Sequence, residues 1–504
     1  MYTHQLTELL KTFTGRDLMR FGKFLNSPYF NNRKMMIKLF RVLKRFYPEF
    51  EGKNFTREYL FKLIYGNNAE YNDSTFRNLM SDLLKLSQQF LKQEGIEKRG
   101  VESGFFLTQE LFSRGAVSLF LSQMANNENE LSKRNIIDGD YFISRFKIET
   151  GRFYVNLMTQ KTIKKSLVIT ESEKLVNGIV CIICYFVIES IKHNDVLLNY
   201  SRTYNIRKNI DIVSNFLELF NFEKINSFIR GYTHLNVPVV ELYYKLLKTF
   251  LNIESSEDYF EMKRSLHLYS KRLGLNDNNF LHSRLIDYCI YKKNQGIANN
   301  FDIDRELFEL HDILLKNEYY KNEFKRHLTV DLYRNVLINC IALRELRYME
   351  DFISKYTKKL MPKEIANIEN YSNSLLNFEK GLYHKALNYL NKVKFDQFVF
   401  KLDMKNLQLK INFELEYYES ALSVIDTYKH FLKNNQLISE SRKIMHNSIL
   451  SYTQMIIQSK TGSKKINLSY LSDKIKNSKN VFDKVWLLEK IRDLKMPAKR
   501  TKVA

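Results

Sequence analysis

The sequence predicts an all-α chain, an N-terminal helical bundle followed by antiparallel helix hairpins stacked on one another. Three observations lead there. Gly (16) and Pro (5) are scarce among 504 residues; sheet proteins need both in their many turns, whereas long helices on short connections do not. Hydrophobic residues make up 44% and aromatics 14%, so a sizeable core can form and disorder is not the default. Apolar residues recur at helical spacing in segment after segment, and no run of alternating strand pattern interrupts them.

Residues 1–95 read as an N-terminal helical domain of five helices. The break at Ser27-Pro28-Tyr29-Phe30 ends the second, because a proline disfavours helix at the residue before it. A third helix covers 32–46 and stops at Tyr47-Pro48. Thr56 caps a short fourth helix over 57–65. Asp73 or Ser74 caps the fifth, which reaches about Gln93 and ends at Gly95. Its stripe of Phe76, Leu79, Met80, Leu83, Leu84, Phe90 and Leu91 follows the helical period. The charged stretch 94–102 is the best boundary.

From 103 to 330 the texture becomes a degenerate array of helix hairpins. One pair, 105–114 and 116–131, turns at Gly115. Asp138 opens a long helix to about Met158, and Ser172 leads a very apolar one around Cys181. Pro238 suits the first position of a helix through Leu251. Ser255 or Ser256 caps the next, to about Leu273. Residues 276–296 and 302–316 form a further pair. Residues 461–504 supply capping helices at 468–476 and 481–494 and a basic tail. Trp486, the single tryptophan, closes the core there with Leu487 and Leu488.

The clearest order lies in 331–460. Asn377-Phe-Glu-Lys-Gly381-Leu-Tyr383-His-Lys-Ala386 ends one helix, turns at a glycine, places an aromatic two residues later, and then a small residue where two helices approach. Asn412-Phe-Glu-Leu-Glu-Tyr-Tyr418-Glu-Ser-Ala421 repeats it, with the two alanines 35 residues apart. A degenerate third copy turns near Leu346-Arg347-Tyr348. Over about 330–435 this resembles the tetratricopeptide repeat, whose period is about 34 residues. Glu416 stands where the second copy would carry its turn glycine, and the family's first-helix Trp and closing Pro are missing from both copies. The resemblance implies a TPR-like α-solenoid, a protein-binding groove, and Gly381, Tyr383, Ala386, Tyr418 and Ala421 as the repeat-defining positions. The whole chain is also similar to a group of large helical bacterial proteins, which implies a fold and no activity.

The net charge of +23 admits polyanion partners. It also suits compositional drift toward Lys and Asn, which scatters lysines over solvated faces. Residues 460–504 hold thirteen Lys/Arg against four Asp/Glu, with Lys464, Lys465, Lys499 and Arg500 as candidate polyanion contacts. Such a tail equally reads as a solvated end. The 57–65 and 74–93 helices could mimic a DNA-reading pair with Arg77, Asn78 and Lys85, but their connection is longer than the usual three or four residues.

No residue pattern predicts catalysis. Cys181-Ile-Ile-Cys184 lies mid-helix in an apolar run, and Cys289 and Cys340 stand apart, so the four cysteines read as buried apolar side chains in a reducing compartment. Ten histidines are scattered without HExxH spacing, and no phosphate-cradling glycine loop is present. The acids of Glu254-Ser-Ser-Glu257-Asp258 sit at a helix start and complement its dipole. The apolar segment 175–188 is shorter than the about 20 residues of a membrane span and reads as a buried core helix. Nothing after Met1-Tyr2-Thr3-His4-Gln5 resembles a secretory signal. The expectation is a cytoplasmic, non-enzymatic scaffold or adaptor with no cofactor, no metal and no membrane attachment. Its partner is another protein; the alternative is a nucleic-acid-associated protein using distributed Lys/Arg.

Overall fold

A computed structural model describes residues 4–159, 165–204, 220–235, 237–295, 301–321, 326–394, 398–478 and 480–495. Among these residues the chain is all-α, with 23 α-helices and no strand. The first seven are α1 (Gln5–Lys11), α2 (Gly15–Asn26), α3 (Lys34–Lys44), α4 (Arg57–Tyr65), α5 (Asp73–Glu97), α6 (Gly100–Ser113) and α7 (Val117–Ser132). Then come α8 (Gly139–Thr159), α9 (Lys165–Tyr204), α10 (Phe222–Arg230), α11 (Pro238–Leu251), α12 (Ser256–Tyr269), α13 (Leu275–Gln295) and α14 (Ile303–Lys316). The remainder are α15 (Val330–Leu343), α16 (Leu346–Tyr356), α17 (Pro362–Glu379), α18 (Tyr383–Leu390), α19 (Phe398–Glu414), α20 (Tyr418–Asn434), α21 (Glu440–Lys460), α22 (Leu468–Asn477) and α23 (Lys484–Lys495). The chain divides into two compact units, Met1–Arg134 with Lys147–Ser172, and Asn135–Phe146 with Glu173–Ala504.

In the first unit, caps set the helix starts. Thr14 and Asp17 exchange bonds: the Asp17 N–H donates to Thr14 Oγ1 (3.1 Å) and the Thr14 N–H to Asp17 Oδ2 (2.9 Å), a capping box that satisfies two orphan donors. Thr56 caps α4 as expected. The cap of α5 is Asn72, whose Oδ1 accepts from the Thr75 N–H at 2.8 Å, one residue earlier than the sequence suggested. Gly95 does not stop that helix, which continues to Glu97. Helices α1 to α5 enclose one apolar core in which Leu6, Leu10, Phe21, Leu39, Phe76 and Met80 are fully buried. Phe21 is its hub, with Phe40, Phe90 and Phe13 at ring-centroid distances of 4.9, 5.3 and 5.8 Å. Burying one such side chain contributes roughly 1.5–3 kcal/mol. Where α6 meets α7, a Cβ at Gly104 would lie 2.0 Å from Asn127 Oδ1, so the approach requires glycine there.

In the second unit, successive helices are mostly spatial neighbours: α11 with α12, α13 with α14, and each helix from α14 to α20 with the next, while α21 and α22 both pack on α23. Pro238 opens α11 as expected. The long helix α9 departs from expectation. It begins at Lys165, so Ser172 lies inside it, where its hydroxyl donates to the Val168 carbonyl at 2.7 Å. Residues Val168–Leu197 are long and apolar enough to cross a membrane by length and composition. One face is core, with Val180, Cys181, Cys184, Val187 and Ile188 buried; Val176 and Ile179 are exposed. The expected buried core helix is therefore buried on one side only. Its inner side is tied by charge: Lys192 Nζ meets Asp277 at 2.6 Å, and the Tyr243 hydroxyl donates to the same carboxylate at 2.6 Å.

Candidate binding surface on the C-terminal hairpins

The repeat-defining residues sit at a recurring backbone turn. Gly381, Glu416 and Arg344 all adopt left-handed φ, at 74°, 59° and 58°. The next residue follows in one conformation: Leu382 at φ −90°, ψ 60°, Tyr417 at −80°, 64°, and Glu345 at −81°, 58°. Its N–H reaches back to a carbonyl of the preceding helix: Leu382 to Asn377 (2.8 Å), Tyr417 to Asn412 (2.9 Å), Glu345 to Cys340 (2.9 Å). This bond of residue i+5 to i closes the last helical turn and satisfies orphan carbonyls. A new helix starts at the following residue each time. Gly115 (φ 68°) and Ala116, bonded to Leu111 at 3.0 Å, form the same turn between α6 and α7. The third copy turns at Arg344 and Glu345; Leu346, Arg347 and Tyr348 are already the first turn of α16.

Glycine is the residue that accepts left-handed φ without strain. Arg344 and Glu416 occupy that conformation without it, at roughly 1–2 kcal/mol each. The Glu416 carboxylate accepts from Lys460 Nζ at 2.9 Å, which offsets part of that cost.

Each small residue stands where two helices close. Ala386 and Ala421 are fully buried. Beside Ala386, the buried Ser374 hydroxyl of α17 donates to its carbonyl at 2.8 Å. Tyr383 and Tyr418 are half-buried, packing on Phe378 (5.5 Å) and Phe413 (6.0 Å), the ring one helix back.

Helix α19 is enclosed: none of residues 400–415 is exposed. Three charged residues along one side of it hold distant partners. Asp403 pairs with Arg334 of α15 through two bonds, one of them 2.7 Å from Nη2. Lys410 Nζ meets Asp483 at 2.7 Å. Glu414 accepts from Trp486 Nε1 at 2.9 Å and pairs with Lys490 at 2.9 Å. Burial opposes the Arg334 charge, and the hydrogen-bonded Asp403 carboxylate more than restores it, holding that guanidinium above the ordinary arginine range. Tyr371 hydrogen-bonds the same carboxylate, and burial with that charge drives its phenol well above the usual value. His446 accepts or donates at Tyr428 Oη (2.9 Å); burial first, then Arg442 and Arg334, lower its pKa to about 4.

Open surface lies instead at the turns. Leu382 is 43% exposed and Tyr417 46%, at equivalent positions of consecutive hairpins. Sequence reasoning named their neighbours and missed them, because only the shared turn geometry marks a position that projects outward.

The expected polyanion contacts are divided. Lys464 and Lys465 are exposed in the connection between α21 and α22. Lys499 and Arg500 lie outside the described residues. All four cysteines are free thiols in buried positions, and burial pushes the Cys289 and Cys340 thiols up to about 12. Among the described residues, no group of three or more His, Cys, Asp or Glu is arranged to hold a metal ion. Arg77 and Lys85 on α5 are paired with Asp73 (2.8 Å) and Asp82 (3.6 Å). Compared with known protein families, with curated proteins and with solved structures, the chain finds no match in any of the three.

Proposed function

We propose that this chain is a non-enzymatic helical-repeat scaffold, a TPR-like solenoid in its C-terminal part, that binds another protein in the cytoplasm. The observation that carries the reading is the recurrence of one turn, with the same dihedrals and the same back-bond, at Arg344, Gly381 and Glu416. A repeated turn sets successive hairpins in a repeated relation, and such arrays present an extended recognition surface. The docking edge in this reading is the row of turns, with Leu382 and Tyr417 as its apolar contacts. Exposed apolar residues at repeated positions suit a partner helix or strand that spans several units.

The test is a native capture with full-length protein, comparing the parent with Leu382→Glu/Tyr417→Glu. Both side chains are close to half exposed and stand in the turns before α18 and α20, so the variant keeps its helical circular dichroism. A partner held by the parent and by Lys464→Gln/Lys465→Gln, but lost from the turn variant, supports the reading. Retention of every partner by the turn variant overturns it.

A further inference from the structure

Between Asp17 and Glu49 the sequence holds eight Lys/Arg and no Asp or Glu. Helix α3 lies within this stretch, and its only charged residues are cations. Lys34, Lys38, Arg41 and Arg45 follow at i, i+4, i+7 and i+11. At 3.6 residues per turn they fall within about 60° of arc and run about 16 Å along the axis. All four are exposed, while Met36, Leu39, Phe40 and Leu43 on the opposite side are buried in the bundle core.

The stripe is uncompensated. No ion pair neutralises any of its four cations among the described residues. Cations nearby are treated differently: Arg33 is paired with Asp82, and the α5 residues Arg77 and Lys85 with Asp73 and Asp82. A solvated helix face normally mixes signs, since i, i+4 pairs of opposite charge stabilise and like pairs destabilise. Here a like-charge row is retained on the outer face of an otherwise well-packed bundle.

The loop entering this helix adds an aromatic. Tyr29 is 88% exposed and rests edge-on against Phe30 at 5.0 Å. The loop is ordered, with the Phe30 N–H donating to Ser27 (3.1 Å) and Asn31 Nδ2 to Leu25 (2.9 Å).

We propose that the outer face of α3, with Tyr29 at its entrance, grips the phosphate backbone of a nucleic acid. A duplex carries one negative charge per roughly 1.7 Å of axis, dense enough to engage all four cations at once. An anionic membrane would need an apolar face to insert, and that of α3 is occupied by the bundle core. Exposed Tyr beside a cationic row matches the pairing of stacking platform and charged groove that single strands use.

The experiment uses the full chain and a fluorescein-labelled DNA duplex of about 20 base pairs, with the matching single strand, read by anisotropy between roughly 50 and 200 mM salt. The variant is Lys34→Gln/Lys38→Gln/Arg41→Gln/Arg45→Gln, and the control is Lys464→Gln/Lys465→Gln. The parent binds, and log K falls steeply with log salt. In the stripe variant that slope shrinks by about 3 to 4, the value for four phosphates released, and low-salt affinity drops at least about 100-fold. The control stays within about threefold of the parent, and Tyr29→Ala weakens the single strand about fivefold or more. The inference fails if the parent does not bind at low salt, if the stripe variant keeps the parental slope, or if the control loses as much. It also fails if the stripe variant's loss appears with phosphatidylserine vesicles or polyglutamate and not with nucleic acid.

Discussion

The N-terminal bundle and the C-terminal hairpins bury different kinds of side chain. Around Phe21 the core is aromatic and aliphatic, and the buried charge of these five helices is Glu94 of α5, paired with the part-exposed Arg20 at 2.8 Å. From α15 to α23 the interior also holds Arg334 with Asp403, His446 with Tyr428, and Lys490 with Glu414. Apolar packing has no direction. Five helices around one centre can be specified by it alone. Helices in a row can slide along one another, and directional bonds at fixed positions on α19 set where each stops. The contrast teaches that the bundle is held by volume and the hairpins by register as well.

The largest expected effect breaks the bundle. Phe21→Ala removes the hub ring and costs about 4 kcal/mol, seen as lost amide protection in α1 to α5 by hydrogen exchange. Asp403→Ala leaves a largely buried guanidinium without its partner and costs about 3 to 4 kcal/mol. Its readout is the urea midpoint of Trp486 fluorescence, which reports on the hairpin unit. The apolar pair Arg334→Met/Asp403→Leu recovers most of that loss. If the double variant also loses cooperativity, register was the role of the pair; if it unfolds as sharply as the parent, that role is refuted.

Acid sharpens the comparison further. His282, His311 and His446 are buried in the second unit, each lowered to about 4 chiefly by burial. The unfolded chain takes up protons near pH 6.5 while the folded chain resists until about 4. Stability from these groups is therefore full above pH 6.5 and falls as pH drops toward 4. For His446 the change is up to about 3 kcal/mol. A Trp486 urea midpoint that stays flat between pH 7 and 4.5 would remove this account, and His446→Gln should flatten it in part.

The smallest effects lie in the turns. Gly381→Ala costs about 1 kcal/mol, and Arg344→Gly gains about the same, because only the residue's tolerance of left-handed φ changes. Glu416→Gly gains less, since it also removes the Lys460 pair. Equal gains at both sites would mean that pair contributes nothing.

Much of the local structure was legible. Thr56 as a cap, Pro238 at a helix start, and Gly115 and Gly381 as turns follow from single-residue chemistry and the 35-residue spacing. Arg344 and Glu416 were harder, because their left-handed backbone is imposed by the flanking helices and leaves no mark in side-chain type. Ser172 misled, since a serine inside a long helix can bond back to the preceding turn as readily as cap. The partners of Asp403, Lys410 and Glu414 lie about seventy residues away, beyond any periodicity. Leu382 and Tyr417 became candidates only once the turn was seen to recur. The acid-free stretch before Glu49 was visible in the sequence, yet the overall charge of +23 dilutes it into apparent drift.

Because the C-terminal hairpins mostly touch those beside them in the chain, tension should propagate one unit at a time. Stretched from its ends in an optical trap, this part of the molecule should yield as a staircase, each step freeing about 35 residues, or roughly 120 Å of contour. The Arg334–Asp403 clasp joins helices two hairpins apart, so it should fuse the steps it spans into a single larger one.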